Sequence, residues 1–320
     1  MSRKPDTRIA CVSLPLLAIE CWAKSSGEPA DTPVVLTIEG THGPLIHAVT
    51  ALAAERGARP GTRLVDARAL DPALVAISAD PAGDEAAVGR LGRWAGRWAP
   101  LVEVDGHSLK LDITGAAHLF GGERALASDI SARFAALGLT ARVAIAPTPG
   151  AAWALAHYER SPSTVMPNEK GLAARLAPLP VAALRLPPPA VRTLERLGLK
   201  TIGALAGIER RSLARRFREA DNPVDALDRA LGRKPDPLTP TPAEQPPRAT
   251  IRLEEPVADP SAALQALEIL VPMLVRELQQ RHLGARQLAL TGFRVDGSVA
   301  VASVATSIAS REPKHLKRLL

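Results

Sequence analysis

Hydrophobic and polar positions change their spacing along this chain, and the changes mark its elements. Arg8–Leu14 alternates and is rich in Ile, Cys and Val, which predicts a strand, and Leu16–Lys24 follows with helical spacing. Pro33–Glu39 predicts a second strand, and Leu45–Arg56 an amphipathic helix ended by Gly57. Asp84–Trp98 reads as another helix. Its Trp94 and Trp98 lie four apart on one face, as core anchors rather than a base-stacking platform. Leu101–Asp105 and Leu109–Ile113 flank Gly106 as a hairpin. Glu123–Leu137 is helical, Ala141–Ala146 a buried strand and Gly150–Glu159 a helix. This order predicts a small α+β sheet domain with helices over one face.

From Leu172 to Leu231 strand signals vanish. Short helices broken by Pro180, Pro187–Pro189, Gly198, Gly203 and Gly207 predict an all-helical module. Pro235–Pro247 then holds six prolines in thirteen residues, a stiff extended linker. Beyond it, Thr250–Glu254 (strand), Ser261–Arg281 (helix), Gln287–Val295 and Val299–Ala305 (hairpin) and Lys314–Leu320 (helix start) give β-α-β-β-α. That order lacks one last strand of a ferredoxin-like domain, so residue 320 is expected to be a fragment end.

Composition narrows the class. A chain of 320 residues is expected to form more than one domain, and a hydrophobic fraction of 46% argues against disorder. No run of 18 apolar residues suggests a transmembrane helix. Basic residues open the chain at Met1–Asp6, but Ser13 and Pro15 interrupt the next stretch and no small-residue cleavage site follows, against a signal peptide. The two cysteines, Cys11 and Cys21, read as reduced thiols of a cytoplasmic protein. The net charge of +7 is localised: residues 1–169 hold 16 basic and 18 acidic side chains, 170–240 hold 14 and 7, and 241–320 hold 10 and 8. On charge alone, a nucleic-acid site and a solubilising basic surface stand level.

Four segments carry a resemblance. Residues 102–115 (VEVDGHSLKLDITG) match a hairpin usually reading V-E-x-x-S-I-D-E-A-Y-L-D-V-T-G, and 144–156 (AIAPTPGAAWALA) match G-I-A-x-N-K-x-L-A-K-x-A-S. Residues 56–63 (RGARPGTR) with 66–70 (DARAL) look like G-V-R-x-G-M with its A-x-x-L. Residues 194–205 (LERLGLKTIGAL) resemble the helix–hairpin–helix L-x-x-L-G-I-x-T-I-x-D-L. In that order they resemble the Y-family, UmuC-like translesion DNA polymerases over nearly the whole chain. The resemblance implies a multidomain α+β right hand: palm at 1–24 and 79–168, fingers at 25–78, thumb at 169–234, linker at 235–247 and an incomplete ferredoxin-like little finger at 248–320.

The departures fall on the chemistry. Two Mg²⁺ ions about 3.5–4 Å apart need roughly three converging carboxylates. Ser13 stands at the first family aspartate, and anchoring the hairpin on Leu111–Thr114 puts His107 and Ser108 where aspartate and glutamate belong. Asp105 keeps the face of His107 but sits about 6.6 Å along the strand, and Asp112 belongs to the fold's own pattern. At the family's tyrosine and arginine for the triphosphate stand Ala51 and Ala54, and at its asparagine and lysine Thr148 and Pro149. No metal and no cofactor is therefore expected. The pattern is most similar to the inactive, ImuB-type branch of bacterial mutagenesis cassettes, especially in 111–123 (LDITGAAHLFGGE).

Three functions follow as expectations. The foremost is a non-catalytic DNA-binding and partner-recruiting subunit in SOS-type, damage-induced mutagenesis. The others are a divergent active polymerase and a protein-interaction scaffold without DNA affinity. The resemblance implies an ImuA-type RecA-like protein, an error-prone C-family DNA polymerase and the sliding clamp as partners, mostly through a region past residue 320, and a cytoplasmic, nucleoid-associated location. Pro187–Pro189 replace the hairpin glycines whose amides hold phosphate, so DNA affinity is expected from side chains: Arg192, Arg196, Lys200, Arg210, Arg211, Arg215 and Arg216, with Arg286 and Arg294 adding a share. Gln287–Leu290 (QLAL) looks like a clamp peptide but reads as strand.

Overall fold

The computed structural model describes residues 7–27, 32–166, 170–217, 222–241, 246–253, 259 and 261–320. The chain forms two compact units, Met1–Thr241 and Pro242–Leu320. The first runs β1 (Ile9–Ser13), α1 (Leu17–Ser26), β2 (Val34–Ile38), β3 (Leu45–Val49), α2 (Ala51–Glu55), α3 (Leu64–Leu70), β4 (Val75–Ser78), α4 (Pro81–Ala95), β5 (Leu101–Asp105) and β6 (Ser108–Asp112). It continues α5 (Glu123–Ala136), β7 (Arg142–Ala146), α6 (Pro149–Tyr158), β8 (Ser163–Val165) and five short helices: α7 (Leu172–Leu176), α8 (Pro188–Arg196), α9 (Ile202–Ala206), α10 (Arg210–Arg216) and α11 (Pro223–Ala230).

The principal sheet has the order β5-β6-β1-β7-β8, antiparallel but for β7 and β8. Alternation sorts its side chains. Ala10, Val12, Leu109 and Leu111 pack with α4 and α5 around Trp98, Ile130 and Phe134. Trp94 meets Trp98 edge-on at 4.9 Å, so both tryptophans are core anchors. The other face, Ile9, Cys11, Ala144 and Ala146, packs under α6 and the short helices. Both faces are therefore covered, where the sequence suggested one: the helical module supplies the second cover.

Three expectations are corrected. Leu45–Arg56 is not one helix. Leu45–Val49 pairs with β2, and Thr50 then caps the short α2, accepting from Ala53 N at 3.4 Å. With β4 parallel to β2, these strands make a second sheet, β3-β2-β4, and neither β4 nor β8 was expected. Part of the proline-rich stretch belongs to the first unit, because Thr241 N donates to Val102 O at 2.8 Å and Thr241 Oγ1 accepts from Val104 N at 3.0 Å. Val102 O and Val104 N on the open edge of β5 are satisfied in this way.

In the second unit, α12 (Ser261–Gln280), β9 (Ala285–Phe293), β10 (Val299–Ser310) and α13 (Pro313–Leu319) surround a core of Leu267, Val271, Val275, Leu278, Leu288 and Leu316. Thr250–Leu253 form no strand; Glu254 lies outside the described residues, as does Met1–Asp6. The only described strands of this unit are β9 and β10, and neither pairs with 250–253. Gln287–Leu290 lies inside β9 with Leu288 buried, as its strand reading required.

Candidate functional site

Antiparallel register decides which side chains meet on the principal sheet. Ser13 stands opposite Ser108, and Cys11 opposite Lys110. Across β6, Asp105 stands opposite Ser108 and Glu103 opposite Lys110. Opposed residues share a face, so these six side chains form one patch. It lies on the face that carries Cys11 in its packing against α6 and the short helices. Ser13, Ser108 and Lys110 are buried, Lys110 with only 4% of its surface exposed.

A buried ammonium must find anions, because an unpaired charge out of water is prohibitive. Lys110 Nζ lies 2.8 Å from Glu103 Oε1 and 2.9 Å from Asp105 Oδ2. Arg185 brings a guanidinium 2.6 Å from the same Asp105 oxygen. Both contacts on Asp105 Oδ2 are ion pairs by distance without the angles of a hydrogen bond. The second oxygen of Glu103 accepts from Thr239 N at 2.7 Å.

His157 closes the patch from α6. Its Nδ1 lies 2.8 Å from Trp153 O, and a carbonyl only accepts, so Nδ1 carries the proton and Nε2 accepts from the Ser108 hydroxyl at 3.1 Å. Burial holds the His157 imidazole below its ordinary pKa, which favours this neutral form. Ser108 is too buried for substrate to reach, so the pair is a packing contact. Burial likewise pushes the Cys11 thiol up to about 12; both cysteines are free thiols.

The donor set does not fit the two Mg²⁺ ions that the fold family implies. Hydroxyls stand at Ser13 and Ser108, and the nearby carboxylates of Glu103 and Asp105 are held by Lys110 and Arg185. Asp112 accepts from Thr114 N at 3.0 Å and stays in its own turn. His107 is half-buried, its ring edge-on to His47 at 6.4 Å. Among the described residues no group of three His, Cys, Asp or Glu is placed to hold a metal.

Of the other expected positions, Ala51 and Ala54 sit on α2. Thr148 caps α6, accepting from Ala151 N at 3.1 Å and donating to Ala230 O at 2.7 Å, and Pro149 starts that helix, buried. At the start of α8, Ala190 N and Val191 N both donate to Pro187 O, so the proline-lined turn offers no amide nest. Just before it, Arg185 adopts φ 60°, a left-handed conformation usual for glycine.

Arg192, Arg196 and Lys200 are exposed on α8 and the turn after it, and Arg211, Arg215 and Arg216 on α10. Arg210 forms a two-armed ion pair with the buried Asp228, which Arg233 also approaches at 3.6 Å, while its own side chain stays 57% exposed. A cleft of about 400 Å³ between α6 and α8 is lined by Trp153, Tyr158, Arg185 and Arg192. In the second unit, Arg286 donates to Ser307 O at 3.3 Å and Arg294 lies exposed in the β9–β10 turn. Sequence reasoning missed Lys110, Arg185, His157 and Thr239. Only Lys110 left a local signal, a cation at an inward position of a strand.

The impB/mucB/samB family model matches residues 24–157. Protein ImuB of Caulobacter vibrioides (strain NA1000 / CB15N) is 38% identical over 265 residues, which is 82% of this chain and 57% of that protein. The chain is an ImuB-type homologue of the Y-family DNA polymerases. It spans somewhat over half the length of the curated relatives it matches; ImuB of strain ATCC 19089 / CIP 103742 / CB 15 gives the same figures. Among solved structures, DinB from Sulfolobus solfataricus is similar with a TM-score of 0.61 at 14% identity, covering 98% of this chain and 91% of that one. An insertion ternary complex of Dbh DNA polymerase has a TM-score of 0.62 at 14% identity, covering 97% and 91%. At such identity the likeness concerns the fold, which is the mixed α+β architecture of these polymerases. No helix among the described residues is long and apolar enough to cross a membrane.

Proposed function

We propose that this chain is a non-catalytic, DNA-binding and partner-recruiting component of a DNA-damage-induced mutagenesis system. In this reading residues 1–24 and 79–168 act as palm, 25–78 as fingers, 169–234 as thumb and 248–320 as part of a little finger. One observation carries it: Glu103 and Asp105 are bound to Lys110 and Arg185, beside Ser13, His107 and Ser108, which the motif resemblance sets at the polymerase's carboxylate positions. Phosphoryl transfer through two metal ions needs anionic oxygens free to take them, so extension is not supported here.

DNA binding rests on the exposed arginines of α8 and α10. Homology to ImuB supports recruitment of an ImuA-type RecA-like protein, an error-prone C-family polymerase and the sliding clamp, and a cytoplasmic place near the nucleoid. Primer extension with Mg²⁺ and with Mn²⁺, run beside a gel shift, tests the reading. The expected result is a salt-sensitive shift without extension. Template-dependent extension would overturn the non-catalytic part. Absence of any shift would favour a scaffold without DNA affinity, the reading to which Pro187–Pro189 lean.

A further inference from the structure

We infer that Lys110 and Arg185 are resident cations taking over the charge role of metal ions, and that they convert Glu103 and Asp105 into a strut tying the sheet to the 181–188 turn and to the chain at Thr239. The charges balance within the patch: two carboxylates face one ammonium and one guanidinium. Removing either cation would leave an uncompensated carboxylate against Ser13, Ser108 and Cys11, with little water to solvate it.

The geometry of Arg185 is the second support. A non-glycine residue at φ 60° is strained, and such a conformation persists where its surroundings over-determine it. Arg185 is fixed at both ends of its reach, with Asp105 at 2.6 Å and its guanidinium over the Trp153 ring at 5.2 Å. Glu103 supplies the third support. It accepts Lys110 on one oxygen and the Thr239 amide on the other, beside the Thr241 contacts to β5. A run of polar contacts therefore passes from Arg185 through Asp105, Lys110 and Glu103 to Thr239.

Thermal unfolding of the whole chain, with and without millimolar Mg²⁺ or Mn²⁺, tests the inference. The wild-type midpoint is expected to ignore both ions. Lys110→Met should lower it by many degrees and acquire a Mn²⁺-dependent recovery, because the freed carboxylates then accept an ion. Combining Lys110→Met with Glu103→Gln and Asp105→Asn should restore most of the midpoint and abolish the ion response. Thr239→Pro removes the amide donor while keeping the ion pairs. It should speed proteolytic cleavage within 235–247 several-fold and leave the wild-type midpoint nearly unchanged.

Ion-induced stabilisation of the wild type, or a Lys110→Met protein as stable as wild type, would overturn the inference. So would a Thr239→Pro protein cleaved at the wild-type rate. If Lys110→Met does not fold, Arg185→Gln carries the same test: a lowered midpoint supports the strut and an unchanged one overturns it. None of these readouts involves DNA, so a failed gel shift leaves the strut standing, and a metal response of the wild type sinks it without touching DNA binding.

Discussion

The basic module makes a quantitative prediction about DNA. With Arg210 paired to Asp228, six of the cations expected to meet DNA remain in it, all exposed: Arg192, Arg196, Lys200, Arg211, Arg215 and Arg216. Each phosphate neutralised on duplex DNA adds about 0.9 to the slope of log affinity against log salt. Six contacts set a ceiling near a slope of about 5, and micromolar affinity at physiological salt is expected because no amide nest assists them. Replacing Arg211, Arg215 and Arg216 together by alanine should flatten the slope by up to about 2.7, and equally for unrelated sequences. Fluorescence anisotropy over a salt series with two unrelated duplexes measures it. Arg210→Ala is the internal control: it strips a buried carboxylate of its main partner, so stability should fall while the slope holds. If the triple variant keeps wild-type affinity and slope, the module is a solvated surface. If Arg210→Ala flattens the slope as strongly, sorting these arginines by their ion pairs is wrong.

Four further outcomes are expected. His157 is held neutral by burial, so its contribution is complete above about 6.5 and is lost as pH falls below that value, where the unfolded chain takes up the proton first; midpoints measured against pH should flatten there in His157→Gln. Burial pushes the Asp228 carboxyl up, but Arg210 and then Arg233 outweigh it and hold it below the carboxylate range. Its stability is therefore present above the ordinary value and lost as pH falls through the lowered one, and Asp228→Asn should remove that acid-labile share. Phe134→Ala, emptying the site between Trp94 at 5.4 Å and Trp98 at 6.1 Å, should cost about 3–5 kcal/mol by denaturant titration. Gly92→Leu should cost roughly 1–3 kcal/mol in the same measurement, because a Cβ there would meet Val104 Cγ2 at 2.5 Å.

Elements with strong local periodicity were legible; those defined by distant partners were not. Leu45–Arg56 carries apolar residues at helical spacing, yet Leu45–Val49 gains its main-chain bonds from β2. The local sign of the break was Thr50, a capping residue in mid-pattern. Thr250–Leu253 alternates like a strand, but it pairs with neither β9 nor β10, the described strands of its unit. That Thr239 and Thr241 of the proline-rich stretch would dock on β5 was not legible, because only the sheet order reveals β5 as an edge in need of cover.

The site divides along the same line. Positions Ser13, His107 and Ser108 were read from motif anchors close in sequence, and the register places Ser13 opposite Ser108. What neutralises the acids beside them needs longer reach. Asp105 read only as an acid displaced along the strand from the family position, because a one-dimensional pattern records which residues stand where and not which bases lie beside them. Lys110 was visible in principle, since alternation along β6 puts it on the inner face with Ser108, and an inward cation must have anions beside it. Arg185 was not, because its role depends on a turn folding back over the sheet and on a backbone conformation that sequence assigns to glycine. The residue types at a motif position are thus read locally, whereas the neutralisation of the acids beside them is tertiary: Lys110 reaches them across the hairpin, and Arg185 arrives from another element.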